Sequence, residues 1–373
     1  MRKVNISLVG GQPMPVYVGI DAVNPDVVVL VHSEQSKRDA EKIAINTENN
    51  GGKVELVLFP DLDYPQTEML AKDLLDQYVR DNVYVNVSGG LKPWAIAFAK
   101  TAFAREGVCL FYIDQNNCFV NLNEAEVQDL QLKLDIPTIL KYNHQEVSSY
   151  TDIEEYDEAD IRALDKIYEV KRRRPGDFFG LTGASWRATT NAIETRTLNY
   201  GASLVIDRVE NQVTFSGTHR DGKSYEFVIS SPHVCEMVVN ARWFEVSVAL
   251  VLKKWNSAIQ VWTNVMFPYR NGNAKNEIDV LVSDGTKLLF VECKTQIYDV
   301  THIDKFRTAC KTYGGTASKA LVVIDANVMR PEAQQKCEEH KIMTFCMSGR
   351  KDSSLARNLY IILDQERVKT NEK

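Results

Sequence analysis

The chain of 373 residues has no apolar run approaching the roughly 20 residues that a membrane-crossing helix needs. Its opening, Met1-Arg2-Lys3-Val4, lacks the apolar stretch of a secretory signal, so the expected location is the cytoplasm, with no membrane partner. The seven cysteines, at 109, 118, 235, 293, 310, 337 and 346, include no C-x-x-C pair. That spacing argues against a disulfide framework or a cysteine zinc site and for reduced, structural thiols. Net positive charge is also missing: at −6 the chain does not coat nucleic acid by bulk electrostatics, although a local basic groove stays open to it. Neither G-x-G-x-x-G nor a Walker A loop occurs, which leaves a dinucleotide fold and ordinary nucleotide hydrolysis without support. What is present is the composition of a globular protein, 44% hydrophobic and 25% charged, in a chain long enough for two domains.

Between residues 3 and 114, strand-like runs at 4–9, 27–31, 54–59, 83–87 and 108–113 alternate with helical patterns near 36–49, 67–81 and 93–106. Continuous Val/Ile/Leu runs separated by amphipathic segments predict an α/β, Rossmann-like domain with a parallel sheet covered on both faces. Ligands of such sheets sit beyond the carboxyl ends of the strands, so the residues after each strand carry the information. Gln12 follows the first strand and Ser33 the second. After the fourth comes Asn86-Val87-Ser88-Gly89-Gly90-Leu91-Lys92-Pro93, opening a helix. Two glycines admit a ligand close to the backbone, the helix start offers free N–H groups, and Lys92 adds charge: together they form an anion site. A turn needing glycine for geometry alone is the competing reading. Lys92 and the polar ends of the first two strands favour a phosphate-bearing ligand.

Residues 121–150 are polar and weakly patterned, and an acidic stretch follows at 152–158. The expected organisation is a sensor-like domain over 1–125, a connector over 126–155, and a second domain over 156–373 that includes a linking region at 156–230. That linking region reads as a helix at 157–173, an irregular helical stretch at 176–201, and strand-like runs at 202–209, 212–216 and 224–229. The one dense basic run, Lys171-Arg172-Arg173-Arg174, is read first as a solvated helix end that suits the helix dipole, ahead of a phosphate contact. A helix at 234–255 follows, then a strand at 259–267, a hairpin, a helix at 302–313, a strand at 320–324, a helix at 331–340 and a strand at 342–345.

The hairpin is the centre of the second domain. Asn276-Glu277-Ile278-Asp279-Val280-Leu281-Val282 and Leu288-Leu289-Phe290-Val291-Glu292-Cys293-Lys294 flank the turn residues Ser283-Asp284-Gly285. Asp279 and Glu292 interrupt apolar runs, and Lys294, two residues beyond Glu292, shares its face. Two carboxylates and an ammonium gathered near a sheet are costly without a partner, and a divalent ion is the natural one.

This arrangement resembles the core of the PD-(D/E)xK nuclease superfamily, with Asp279, Glu292 and Lys294 at the matching positions and Ile278 where the name-giving proline would stand. The α-β-β-β-α-β order from 234 to 345 is that of the restriction-endonuclease-like fold. The resemblance implies Mg²⁺ or Mn²⁺ held by Asp279, Glu292 and the Cys293 backbone carbonyl. Lys294 would orient or help deprotonate water and offset the charge of the phosphate. Glu245, on the helix that opens the core, would be a further catalytic carboxylate, and Gln296 a contact to substrate or water.

The Asn86-x-Ser-Gly-Gly-x-Lys92 stretch in turn resembles the CARF sensor domains of CRISPR-associated proteins, which bind cyclic oligoadenylate across a two-fold axis. By position, Gln12, Ser33, Ser88, Gly89, Gly90 and Lys92 would line that site. Taken together, the chain is similar to CRISPR ancillary nucleases joining a CARF sensor to a PD-(D/E)xK effector. That similarity implies a cytoplasmic homodimer, switched on by cyclic tetra-adenylate or a related ring, cutting single-stranded DNA, RNA or duplex DNA with little sequence preference. The competing expectations are a standalone repair or restriction-type nuclease and a ligand-responsive regulator that binds nucleic acid without cutting.

Overall fold

The computed structural model describes residues 1–61, 63–176, 191–219, 221–239, 242–268, 274–315, 317–348 and 353–371. Seven strands form the first sheet: β1 (Lys3–Leu8), β2 (Val27–His32), β3 (Lys53–Leu58), β4 (Asn82–Asn86), β5 (Val108–Ile113), β6 (Cys118–Asn121) and β7 (Glu126–Asp129). Their order is β3-β2-β1-β4-β5-β6-β7, parallel through β5 and antiparallel beyond it. Helices α1 (Met14–Val23), α2 (Lys37–Asn49), α3 (Tyr64–Gln77) and α4 (Lys92–Ala102) are the crossovers. β1 and β2 are buried almost end to end, as the unbroken apolar runs require of strands covered on both faces.

α1 lies outside the sequence expectation because it has no polar face to give a period. Met14, Val16, Tyr17, Val18, Gly19, Ile20 and Val23 are all buried, and Pro13 and Pro15 stand at its start. One side packs among Val28, Leu30 and Ile43. The other enters a core shared with the second half of the chain, where Met14, Val18, Phe111 and Ile113 meet Trp262, Leu281 and Phe290.

The expected connector, 126–155, carries four elements: β7, then α5 (Ile136–Tyr142), then β8 (Ser149–Asp152), then a 3₁₀ turn at Ile153–Glu155. β8 is the edge strand of a six-stranded sheet ordered β17-β16-β15-β14-β13-β8. Its other members are β13 (Gln260–Pro268), β14 (Ala274–Ser283), β15 (Leu288–Lys294), β16 (Lys319–Ile324) and β17 (Met343–Cys346). α6 (Glu158–Arg173) starts on an Asp157 capping box, then a four-stranded antiparallel sheet follows: β9 (Ile193–Thr197), β10 (Ser203–Asp207), β11 (Gln212–Thr218) and β12 (Ser224–Ser230). β9 corrects the irregular helical reading of 176–201. Its half-covered Glu194 and Arg196 alternate with the exposed Ile193, Thr195 and Thr197 in a two-residue period, and residues 177–190 of that stretch lie outside the described residues.

The single helix expected at 234–255 is two, α7 (Val234–Val239) and α8 (Trp243–Leu252). Residues 240–241 between them are outside the described residues. α9 (Thr301–Gly314), α10 (Pro331–Glu339) and α11 (Ser353–Asn371) complete the fold.

In the first sheet the strand order reverses direction between β1 and β4, and there the loops that follow these strands cross. A Cβ on Gly89 would fall 2.3 Å from the Leu8 carbonyl oxygen, and one on Gly10 would fall 2.8 Å from Gly90 N. The glycines are therefore first of all what lets two backbones touch. Gly89→Ala is expected to destabilise the protein by about 1–3 kcal/mol, since backbone must move to admit the methyl. Gly11→Ala, with open space around its Cβ, serves as the control, and urea midpoints decide.

Candidate active site and ligand cradle

β14 and β15 pair antiparallel from Ser283–Leu288 to Val280–Val291. Asp279, the next residue along, turns its carboxylate toward β15. Its Oδ2 accepts from Cys293 N–H at 2.7 Å and from Lys294 Nζ at 3.1 Å, while Lys294 Nζ lies 2.8 Å from Glu292 Oε1. Glu245 approaches from the first turn of α8, whose Phe244, Val246, Val248 and Ala249 share a core with Val280, Val291 and Cys293. The four residues that the sequence marked as catalytic thus converge.

The sheet is irregular where they meet. Strict alternation would send Ile278 and Val280 to one face, yet Ile278 packs in the core with α9 and Val280 in the core with α8. On β13, Asn264 sits opposite Asp279, between the pairs Thr263–Val280 and Val265–Ile278, and holds a left-handed φ of 53°. The pleat reverses at this residue pair with the β13–β14 register unbroken, while β13 slips by one residue against β8 between Thr263 and Met266, and such irregularities commonly re-aim a side chain at a functional site.

The frame around the cluster is dry. Trp243 is buried, Tyr168 meets it edge-on at 5.2 Å, and the Lys171 ammonium stands 4.6 Å from its ring centre. Lys171 also pairs with the Asp325 carboxylate, and Asp325 N–H donates to Lys294 O at 2.9 Å. The first residue of the basic run therefore braces β15, in place of the solvated helix end that the sequence favoured.

Burial, then the nearby Asp279 charge, push the Glu292 carboxyl up to about 7, and the same two causes raise Glu245 well above the ordinary carboxylate range. Burial works to lower Lys294, but Asp279 and Glu292 outweigh it and hold the amine above its usual value. Lys294 is accordingly an ammonium at neutral pH, fitted to offset charge and donate hydrogen bonds. That narrows the sequence reading, which also allowed it to help deprotonate water.

The donor set fits a hard divalent ion. The buried Glu245 Oε2 has no hydrogen-bond partner among the described residues, and burial and the Asp279 charge raise the pKa of both Glu245 and Glu292, a penalty that a cation would relieve. As the side chains stand, no three His, Cys, Asp or Glu groups among the described residues are disposed around one ion, and Lys294 occupies the cation's place between Asp279 and Glu292. The Cys293 thiol is buried and pushed up by burial and by Asp279, so only its backbone carbonyl is a candidate ligand. Gln296 is not brought into the cluster: its Nε2 donates to Val328 O and its Oε1 accepts from Ile297 N–H, tying two loops together.

Sequence reasoning gave no role to Arg242, whose Nη2 donates to Asn264 Oδ1 at 2.7 Å and lies 3.4 Å from Glu277 Oε1. Its three-residue spacing from Glu245 on one helix face was a legible signal. The conformation of Asn264 was not.

In the cradle at the β1/β4 reversal, Gln12 and Lys92 are exposed, and Gly89 and Gly90 present backbone. The two serines are occupied. Ser33 and Ser36 exchange bonds at the start of α2, with Ser36 N–H donating to Ser33 Oγ at 3.2 Å. Ser88 Oγ donates to Asn86 Oδ1 at 2.5 Å and accepts from Ile113 N–H at 2.6 Å, fastening the end of β4 to the end of β5.

Residues 4–138 match the sequence model of the Card1 CARF domain, and this part of the chain is a CARF domain. The whole chain has the fold of Can2 from Sulfobacillus thermosulfidooxidans, solved in complex with cyclic tetra-adenylate, at a TM-score of 0.68 and 16% identity, covering 97% of this chain and 98% of that one. Protein VC1899 from Vibrio cholerae aligns with the same TM-score of 0.68 at 12% identity, over 96% and 97%. A type III CRISPR defence DNA nuclease activated by cyclic oligoadenylate aligns at 0.52 and 13% identity over 87% of this chain, which spans 45% of that longer protein. No curated protein sequence matches the chain.

The raised Glu292 sets a stability signature. A carboxyl whose folded pKa lies above its unfolded value retains its proton longer when folded, so stability falls as pH rises from about 4.5 toward 7. Glu292→Gln should therefore raise stability at pH 8 by about 2 kcal/mol and leave it nearly unchanged at pH 4. Mn²⁺ should raise Tm in the native protein, more at pH 8 than at pH 6, and not in Asp279→Ala.

Proposed function

We propose that this protein is a metal-dependent nuclease of type III CRISPR defence, switched on by a cyclic oligoadenylate, most simply cyclic tetra-adenylate, in the cytoplasm. The observation that carries the reading is the convergence of Asp279, Glu292, Lys294 and Glu245 where β14 and β15 part, in a chain whose first domain is a CARF domain. The alignments with Can2, solved with cyclic tetra-adenylate, and with a ring-activated DNA nuclease support it.

Hydrolysis joins the oxygen of water to phosphorus and breaks one bridging P–O bond; one proton of water ends on the departing oxygen and the other leaves with the phosphate. Asp279, Glu292 and the Cys293 carbonyl would hold Mg²⁺ or Mn²⁺, with Glu245 as a fourth oxygen donor, and the ion would bring Lewis acidity to the phosphate. Asp279 keeps Lys294 in place by its hydrogen bond. Lys294 meets the charge that builds on the phosphoryl oxygens. Glu292, which burial pushes up to about 7 without an ion, must give up its proton to hold one. Activity at limiting metal therefore rises with pH across the neutral range.

The ring would bind across two CARF domains in a homodimer. α4 suits such pairing, since Ile96 and Phe103, seven residues apart, are 59% and 57% exposed beside Lys92. A line of hydrogen bonds leads from that loop to the catalytic hairpin. Ser88 holds Ile113; past the turn at 114–117, Asn117 Nδ2 donates to Thr286 O at 3.0 Å and Lys287 Nζ to Asn116 Oδ1 at 3.3 Å; and Leu288 opens β15. The proposal is that the ring biases this hairpin between two arrangements.

Labelled single-stranded DNA, RNA and plasmid, incubated with Mn²⁺ with and without cyclic tetra-adenylate, provide the test. Cleavage should appear with the ring and vanish in Glu292→Ala. Cleavage indifferent to every ring would remove the switch and favour a standalone nuclease, and binding without cleavage would favour a regulator. Asn117→Gly, which accepts the native φ of 61° but loses the bond to Thr286, should keep ring binding and cut the fold-stimulation about tenfold.

A further inference from the structure

Arg242 is a cation beside the carboxylate cluster that the mechanism above leaves unused. It is the N-cap residue of α8, three positions before Glu245, and its side chain is only 20% exposed. Its charge helps lower Glu245, against the burial and the Asp279 charge that raise it. Two of its partners hold it loosely: Glu236 Oε2 stands at 3.8 Å and Glu277 Oε1 at 3.4 Å, on side chains 61% and 44% exposed. The close contact is Asn264 Oδ1, at 2.7 Å. Asn264 makes it from a left-handed φ of 53° in the middle of β13, opposite Asp279 at the pleat reversal. A non-glycine residue in that conformation inside a strand is strained, and the strain is set on the one residue that aims the guanidinium.

We propose that Arg242 is a second cationic contact of the scissile phosphodiester, its planar fork meeting non-bridging phosphate oxygens, and that Asn264 is the residue that positions it. The site then presents two cations from opposite elements, Lys294 from β15 and Arg242 from α8. This inference rests on the nuclease reading and adds to it a phosphate contact that lies outside the Asp-Glu-Lys motif.

The first measurement needs no cleavage. In the Glu292→Gln background, fluorescence anisotropy of a labelled single-stranded oligonucleotide should show Arg242→Ala weakening binding about tenfold and lowering the salt slope by about 1. Unchanged affinity and slope would overturn the proposal. The second is cleavage by the full chain with Glu292 intact. Arg242→Ala should lose about a hundredfold in kcat beyond the roughly tenfold rise in KM that its weaker binding brings, and free guanidinium should restore part of it. Asn264→Gly should lose about tenfold in kcat while its Tm holds or rises, because glycine adopts φ 53° without strain. If the two residues only stitch α8 to β13, activity will follow Tm instead, and the proposal fails. A native protein that binds the oligonucleotide through Arg242 yet cuts nothing would overturn the nuclease reading and leave the phosphate contact standing.

Discussion

Asp279 Oδ2 takes a backbone hydrogen bond from Cys293 and an ammonium contact from Lys294 at once, and much of the second domain is arranged so that it can. A carboxylate in a largely buried position costs several kcal/mol unless its lone pairs are met. Here they are met by the neighbouring strand at the point where the β14–β15 ladder stops. Glu292 and Glu245 are buried beside the same charge, and burial first, then that charge, makes both hold protons more tightly than a surface carboxyl does. The cluster is under electrostatic stress without a cation, and the fold tolerates it because α8, β13 and the Trp243–Lys171–Asp325 brace hold the walls.

The same economy of packing explains why the two halves of the chain are not beads on a string. α1 and β5 of the first domain share a core with β13, β14 and β15 of the second, so Phe111 and Phe290 belong to one buried cluster. Ser283 Oγ donates to Leu134 O at 2.5 Å and Leu134 N–H to Gly285 O at 3.0 Å, so the turn of the β14–β15 hairpin is itself bonded to the segment leaving the first sheet. A sensor grafted by a flexible tether could not transmit strain. Packed, bistable interfaces can.

Glycine and serine in the cradle show how one residue serves two ends. The Ser-Gly-Gly turn was legible as an anion site because glycine, a helix N-terminus and a lysine coincide. Its tertiary duty was not legible: Gly89 admits the Leu8 carbonyl, and Ser88 bolts β4 to β5. Both are contacts between residues more than twenty positions apart, invisible to local pattern.

Period and spacing alone determined the alternating β/α order of the first domain, the hairpin with Asp279 and Glu292 at apolar positions, and the shared face of Glu292 and Lys294, because these follow from the fixed repeats of strand and helix. α1 escaped because a helix with seven of its ten residues buried and one charged side chain, Asp21, shows too little polar face to give an amphipathic period. β9 escaped because polar edge strands alternate too weakly to be told from irregular chain. Only tertiary structure decided the raised carboxyls of Glu245 and Glu292, the charged state of Lys294, and the union of Arg242 with Asn264. Each depends on desolvation and on distances between residues that the sequence leaves far apart, and Coulomb energy is set by distance in space and not by separation along the chain.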